Sequence, residues 1–202
     1  IWGSADKYRQ LKGMLDEFLI PDDEGLEVRI GTGKSRGFGR AYLDIKDAVE
    51  KKSLEGRLND FQSALGANDE YLYFSVTLMS PTLVCGRLGV PVTDIGRDVL
   101  EQYFSVVPSG LQMLVKASTL EWGSYGGWSP AWGLPKPVVA ALNPGSTLIY
   151  KVPEREKQSA IEFLGLLEEK GLGEYCSGGW GSVVVCDPFH LIFDICREGD
   201  KR

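Results

Sequence analysis

The sequence contains one histidine, four cysteines and no long uninterrupted run of apolar residues. No run approaches the roughly 20 apolar residues that a helix needs to span a bilayer, and no signal peptide is visible, so we expect no membrane contact. The cysteines lack the paired spacing of a disulfide framework, which predicts reduced thiols in a cytoplasmic protein. They are Cys85, Cys176, Cys186 and Cys196.

The sequence also lacks an excess of positive charge. Its 22 basic residues are outnumbered by 28 acidic ones, which gives a net charge of −6. A protein of this charge does not coat nucleic acid through its overall field, so any site for a polyanion has to be local. Apolar residues make up 43% of the chain, which predicts a folded protein with a sizeable core.

One short segment reverses this charge balance. Residues 31–40 read Gly-Thr-Gly-Lys-Ser-Arg-Gly-Phe-Gly-Arg and contain no carboxylate, and Arg29 lies just before them. Four glycines allow positive φ angles and a close approach of the backbone to a ligand. Phosphate groups bind such backbone N–H groups and cationic side chains, so the segment predicts a polyanion site.

Two common phosphate-binding motifs do not fit this segment. A phosphate-binding loop of nucleoside triphosphatases needs glycine at position 28, where this chain has Val28, and it opens a helix rather than a strand. A dinucleotide fingerprint fails because Gly37 comes one residue late. The remaining alternative is a glycine-rich hairpin whose basic residues are incidental.

Periodicity predicts an α+β fold. A helix after Ser4 is followed by strands at 26–30 and 41–45, with the glycine-rich loop between them, and 51–69 is interpreted as a charged connector. Residues 70–195 then predict strands and helices in the order β-α-β-β-α-β, which is the ferredoxin-like or RRM-like arrangement of an antiparallel sheet. The strands are predicted at 71–84, 111–122, 148–152 and 182–186, and the helices at 93–104 and 159–170.

A second glycine-rich segment indicates an internal repeat. Gly179-Trp180-Gly181 matches Gly37-Phe38-Gly39, and each loop comes after a predicted helix and before a predicted strand. Residues 1–50 are therefore interpreted as the second half of a ferredoxin-like unit, 70–195 as a complete second unit and 196–202 as a tail. Half a unit would expose an unpaired sheet edge, so we expect an absent segment or another chain to complete it.

The ordered set of motifs resembles the RAMP superfamily (repeat-associated mysterious proteins) of type III CRISPR-Cas effector complexes, and most closely the large two-unit subunit of subtype III-D. The resemblance covers most of residues 4–195. It is carried by Ile30 to Arg40, Trp128 to Pro135, Gly145-Ser146, Gly171 to Glu174, and Asp187 to His190.

The resemblance implies a non-catalytic, RNA-binding scaffold subunit of an antiviral interference complex, with no cofactor and no metal. Its ligand would be CRISPR guide RNA, its partners other RAMP subunits, and target RNA a further contact. The guide-RNA contacts implied are Arg29, Gly31, Gly33, Lys34, Ser35, Arg36, Gly37, Phe38, Gly39 and Arg40.

The second loop departs from the family pattern, because Glu174 to Gly178 carry no positive charge where a basic residue is common. Phosphate contact and a packing role both remain open there. Exposed aromatic rings can stack on unpaired bases, but they can equally fold inward or anchor a neighbouring subunit. The residues predicted to make a secondary contact with RNA or a subunit are Tyr175, Gly179, Trp180, Gly181, Trp128 and Trp132.

Two other functions remain as alternatives. A RAMP endoribonuclease would need an acid–base group or a metal, for which the chain offers His190 or the carboxylates of residues 22–24. A structural or surface histidine and a solvated turn are the simpler interpretations, and a zinc site at Cys186, His190 and Cys196 lacks a close cysteine pair. The second alternative is a purely structural assembly module.

Overall fold

A computed structural model describes residues 9–10, 13–14, 26–29, 39–43, 52–66, 70–129 and 131–192. The chain divides into two compact units, residues 1–51 and residues 52–202. In the first unit, residues 9–10 and 13–14 are helical, within the helix predicted after Ser4. No helix in the described part of the chain is both long and apolar enough to cross a membrane.

The described strands of the first unit form a two-stranded antiparallel sheet. Strand β1 is Leu26–Arg29 and strand β2 is Arg40–Leu43. Leu26 pairs with Leu43 and Arg29 pairs with Arg40, so residues 30–39 connect the two strands. Both strands lie within or next to the predicted segments 26–30 and 41–45.

The second unit is built on a four-stranded antiparallel sheet with the strand order β4-β7-β3-β8. Strands β3 and β4 both pair with β7. Strand β7 therefore lies between two strands that are consecutive along the chain. A separate hairpin, β5–β6, is inserted between β4 and β7. The strands are β3 Tyr71–Leu78, β4 Gln112–Met113, β5 Trp122–Ser129, β6 Leu134–Leu142, β7 Thr147–Pro153 and β8 Val183–Val185.

Four α-helices accompany these strands in the described part of the second unit. They are α1 Leu54–Leu65, α2 Arg97–Leu100, α3 Lys157–Lys170 and α4 Phe189–Ile192. The mixed helix and strand content with antiparallel sheets agrees with the predicted α+β class. The predictions of α3, of β7 and of the turn at Asn143-Pro144-Gly145 that leads into β7 are confirmed.

The core lies between the sheet and helices α1 and α3. Helix α3 buries Phe163, Leu164 and Leu167, and the ring of Phe163 meets that of Phe104 edge-on at 5.4 Å. On the sheet, the buried ring of Tyr150 stacks on Phe74 at 5.5 Å, and its hydroxyl donates to the carbonyl of Ile95 at 2.9 Å. Burial raises the pKa of Tyr150 far above its usual range, so this phenol is neutral at any physiological pH.

Four predicted elements need correction. The strand predicted over 71–84 ends at Leu78, because the chain bends at Met79 and Ser80. The interpreted connector, 51–69, contains helix α1, whose Leu58 and Phe61 belong to the core. The helix predicted over 93–104 forms only at Arg97–Leu100 before turns replace it. The strand predicted over 111–122 is interrupted, because Ser118 bonds locally to the carbonyl of Leu114 and offers its own hydroxyl, in place of a backbone carbonyl, to the N–H of Ile149.

Helix α1 covers the open edges of the sheet. It begins at the N-cap Ser53 and ends at Gly66 in the left-handed conformation. Its Gln62 side chain bonds to the backbone of Tyr71 and Tyr73, the part of β3 that the short strand β8 does not reach. The sequence alone shows only a charged, helix-compatible segment here, because the partners that bury α1 are distant in the chain.

A buried ion pair closes the outer edge of β8. The guanidinium of Arg57, with a side chain only 3% exposed, makes two hydrogen bonds to the Glu168 carboxylate at 2.9 and 2.8 Å. Arg57 also donates to the carbonyl of Val185, and Glu168 accepts from the N–H of Val185 at 2.9 Å. The pair therefore satisfies both backbone groups that Val185 turns away from β3, as an additional strand would.

Replacing Arg57 should destabilise the fold strongly. Arg57→Ala is expected to lower the free energy of unfolding by about 3 kcal/mol, because it leaves Glu168 and the Val185 carbonyl without their partner. Urea denaturation of the full chain measures the change. Glu154→Gln, which removes an exposed ion pair with Lys157, is the control and should cost less than about 1 kcal/mol. A loss for Arg57→Ala no larger than that of the control would contradict this role.

Candidate nucleic-acid interface

The candidate loop of the first unit is closed by two arginines. Arg29 and Arg40 are the last paired residues of β1 and β2 before the connection. Gly39 has φ +77°, a conformation that glycine adopts without the steric cost of a side chain. The other predicted contacts in the connection lie outside the described residues. They are Gly31, Gly33, Lys34, Ser35, Arg36, Gly37 and Phe38.

Four side chains share one face of this hairpin. Glu27 and Arg29 are two residues apart on β1, and they lie directly opposite Tyr42 and Arg40 on β2. The side chains of Arg29 and Arg40 are 56% and 60% exposed, so both can reach a ligand in solvent. Val28 marks the opposite, partly buried face.

Glu27 lies within reach of both guanidinium groups. Its carboxylate is 3.0 Å from Nη2 of Arg40 and 3.9 Å from Nε of Arg29. The guanidinium of Arg40 also lies 5.4 Å from the ring centroid of Tyr42, in a cation–π contact. Among the described side chains of this face, one carboxylate lies beside two guanidiniums, at the base of a loop whose sequence carries Lys34 and Arg36.

The second glycine loop is closed by a backbone hydrogen bond. The N–H of Leu172 donates to the carbonyl of Gly181 at 2.8 Å. The intervals 30–39 and 172–181 have equal length, and Gly181 has φ +69°, close to the +77° of Gly39. The loops differ in their approach, because the first follows strand β1 and the second begins directly after helix α3.

The second loop uses its backbone amides for its own structure. Glu174 and Gly181 donate to the carbonyls of Leu83 and Pro81 at 2.8 and 2.9 Å. Within the loop, Gly179 donates to the carbonyl of Cys176 at 3.0 Å. Amides that are occupied in this way do not bind phosphate, so the geometry favours the packing role that the sequence left open.

The one charged side chain of the second loop, Glu174, is hydrogen-bonded within the protein. The Glu174 carboxylate accepts a hydrogen bond from the hydroxyl of Tyr103 at 3.1 Å. Burial and the nearby Glu174 carboxylate raise the pKa of the Cys176 thiol, which therefore stays protonated. A neutral thiol and a carboxylate do not attract phosphate, unlike the basic residues of the first loop.

The predicted aromatic contacts divide into two groups. The ring of Trp180 is half-buried and meets Tyr125 and Tyr175 edge-on, with centroids 5.4 and 5.6 Å away. Trp128 and Trp132 instead lie on the β5–β6 hairpin and are 56% and 81% exposed. These two tryptophans therefore do not fold into the core.

The β5–β6 hairpin is an element that the sequence interpretation missed, although Trp128 and Trp132 on it were predicted as secondary contacts. Periodicity predicted no hairpin at 122–142, because prolines and paired glycines hide the strand pattern. Most of its residues are exposed, and over this interval the chain has one charged side chain, Lys136, and no carboxylate. The signal that could have found it is this absence of acidic residues in a chain of net charge −6.

The side chains proposed for the alternative nuclease or zinc site make contacts of an ordinary structural kind where the structure describes them. Nε2 of His190 lies 2.8 Å from the hydroxyl oxygen of Thr77, a residue of the sheet. Burial raises the pKa of Cys186 to about 11, which disfavours the thiolate that a metal needs. Within the described residues, no three His, Cys, Asp or Glu side chains come together as a metal site, and Cys196 and residues 22–24 lie outside them.

A comparison with models of known protein families gave no match, and a search of characterised proteins gave none either.

Three glycines of the second loop should differ in their tolerance of alanine. Gly178 has open space around it, so Gly178→Ala should change the free energy of unfolding by less than about 0.5 kcal/mol. Gly179 has equal space but φ +87°, so alanine should cost about 1–2 kcal/mol. At Gly181 a methyl group would also overlap the carbonyl oxygen of Leu172, which predicts the largest loss.

Urea denaturation of the three alanine variants measures this order. Equal losses for Gly179→Ala and Gly181→Ala would contradict the close backbone approach at Leu172.

Proposed function

We propose that this chain is an RNA-binding scaffold subunit of a type III CRISPR-Cas interference complex, related to the RAMP proteins. Guide RNA is its ligand and other RAMP subunits are its neighbours. The observation that carries the proposal is the closure of residues 30–39 by Arg29 and Arg40, which gives this glycine-rich loop a cationic base. In this proposal Lys34, Ser35 and Arg36, which lie outside the described residues, supply further phosphate contacts.

The arrangement of the second unit supports the fold part of the proposal. Its principal sheet has two successive strands, β3 and β4, separated by β7, with β8 on the outer side of β3. This strand order is the one expected for the split βαβ pattern of a ferredoxin-like unit, with α1 and the β5–β6 hairpin as additions, and it supports that part of the proposal. The matching Gly-aromatic-Gly sequences at 37–39 and 179–181, with positive φ at Gly39 and Gly181, support a duplication, in which the first unit supplies the second half of another such unit.

Charge supports a local rather than a general mode of binding. The net charge of −6 repels a polyanion from most of the surface, so the affinity has to come from direct contacts at the loop. Arg29 and Arg40 provide planar guanidiniums that bind phosphate oxygens in pairs. In this proposal the chain positions RNA, and cleavage or second-messenger synthesis belongs to neighbouring subunits.

A second candidate function is an assembly module that contacts other subunits through the β5–β6 hairpin. The observation in its favour is the exposure of Trp128 and Trp132 on a hairpin without a carboxylate. Tryptophan is enriched at the centres of protein interfaces. The two functions are compatible, since a scaffold subunit has both RNA and protein neighbours.

Removing three loop cations should weaken RNA binding and make it less dependent on salt concentration. In the variant Lys34→Ala/Arg36→Ala/Arg40→Ala, the slope of log K against log salt should lose a contribution of about −2, at about 0.7 per phosphate contact on single strands. Fluorescence anisotropy with a labelled oligouridylate, repeated at several potassium chloride concentrations, measures the slope for the full chain.

The matched control is Arg87→Ala/Lys116→Ala/Arg155→Ala, which removes the same charge from exposed sites of the second unit. Its slope should remain near that of the unaltered chain. Equal slopes for the loop variant and the unaltered chain would reject the loop as the RNA site.

Crosslinking separates the two candidate functions. Ultraviolet crosslinking to oligouridylate, followed by mass spectrometry, should give adducts within residues 31–40 if the loop binds RNA. Adducts confined to Trp128 and Trp132 would move the RNA site to the hairpin, and an absence of adducts would favour the assembly module.

A further inference from the structure

Two arginines face each other at the base of the glycine-rich loop, and this arrangement is unfavourable by itself. Arg29 and Arg40 are directly opposite in the antiparallel pair, so their side chains leave the same face. Like charges in such positions destabilise the pairing of two strands. A two-stranded sheet has little stability to lose, so the repulsion needs a counter-charge.

Glu27 supplies that counter-charge in the unbound protein. Its carboxylate is 3.0 Å from the Arg40 guanidinium and 3.9 Å from that of Arg29, so one group lies within ion-pair distance of both. A carboxylate and a phosphate present similar pairs of oxygens to guanidinium groups. The side chains involved are 39–60% exposed, so the contacts can exchange with a ligand from solvent.

We propose that Glu27 stands in for a ligand phosphate: in the unbound protein its carboxylate holds the two guanidiniums that receive one phosphate of the bound chain. The inference rests on the proposed RNA-binding function. It identifies Glu27 as a residue that lowers the affinity for RNA. Arg29 and Arg40 together form a bracket for a single phosphate. Tyr42 supports the bracket, because its ring lies under the Arg40 guanidinium at 5.4 Å.

Displacement of Glu27 has opposite effects on stability and on binding. The carboxylate stabilises the hairpin while no ligand is present, because it separates two like charges. The same contact has to be broken when phosphate binds, and the displaced carboxylate then lies close to an anion. Glu27 therefore lowers the affinity for the polyanion and at the same time preserves the strand pairing that positions its ligands.

A double-mutant cycle between Glu27 and Arg40 tests this assignment. Glu27→Gln should bind labelled oligouridylate about two- to five-fold more tightly than the unaltered chain, the range expected for release of an exposed ion pair. In the Arg40→Ala background the gain from Glu27→Gln should largely disappear, because the main partner of the carboxylate is absent. Glu154→Gln makes the same change of net charge in the second unit and should leave the affinity unchanged.

Hydrogen exchange provides a second, independent measurement. In unbound Glu27→Gln, the backbone amides of β1 and β2 should exchange faster than in the unaltered chain, because the two guanidiniums have lost their shared carboxylate. Saturating oligouridylate should restore the protection, since a phosphate then occupies the bracket. Unchanged exchange in the unbound variant would overturn the stand-in role.

The outcomes separate this inference from the function on which it rests. If the loop-cation variant loses its salt dependence but Glu27→Gln binds no more tightly than the unaltered chain, the stand-in role is wrong and the RNA site remains. If Glu27→Gln increases the affinity equally with and without Arg40, the increase comes from the change in net charge, and the assignment of Arg29 and Arg40 as a bracket for one phosphate is wrong. If neither the unaltered chain nor Glu27→Gln binds oligouridylate, both proposals fail together.

Discussion

The buried contact between Arg57 and Glu168 fixes the framework on which the second unit depends. Glu168 lies in helix α3 and Val185 in strand β8, and the second glycine loop spans the interval between them. Because the guanidinium and the carboxylate bind each other and both backbone groups of Val185, the two ends of the loop are held at a constant separation. The same contact replaces the neighbour that an edge strand lacks, so a strand of only three residues can end the sheet.

The two glycine-rich loops differ in the side chains and contacts that the structure describes. Each ends on a glycine with positive φ, Gly39 in one and Gly181 in the other. The second loop directs its amides to Pro81 and Leu83 and its carboxylate to Tyr103, so its polar groups are satisfied within the protein. The first loop is flanked by two exposed arginines, Arg29 and Arg40, and each lies within ion-pair distance of Glu27. The proposed binding role of the first loop therefore depends on its basic side chains, which the second loop lacks.

A protein of net negative charge that binds RNA needs its cations concentrated, and concentration has a structural cost. Arg29 and Arg40 are attractive to phosphate because they are adjacent, and they repel each other for the same reason. In the proposed scheme Glu27 resolves the conflict until RNA arrives, at the expense of some affinity. Such a site binds a long polyanion through the sum of several exchangeable contacts, rather than through one strong contact.

The sequence by itself determined the elements whose signal is local. The strand predicted at 148–152, the apolar spacing of α3 and the turn residues at 143–145 each depend on neighbours within a few positions, and these elements form where they were predicted. The strand predicted at 71–84 forms over 71–78 only. The glycine loop at 31–40 and its charge were equally evident, as was its repetition near 171–181. The described strands beside the first loop, 26–29 and 40–43, lie within or next to the segments predicted at 26–30 and 41–45.

Tertiary structure decided the parts that depend on distant partners. The sequence of helix α1 was interpreted as a charged connector, because the partner that buries Arg57, Glu168, lies 111 positions away. The β5–β6 hairpin has glycines and prolines where a strand pattern is sought, and only pairing across the hairpin makes it regular. The packing role of the second loop depends on carbonyls at Pro81 and Leu83, and the proposed role of Glu27 depends on the register that places Arg40 near it. A linear pattern records which residues are present, but hydrogen-bond partners and opposed charges are fixed only when the chain brings separate segments together.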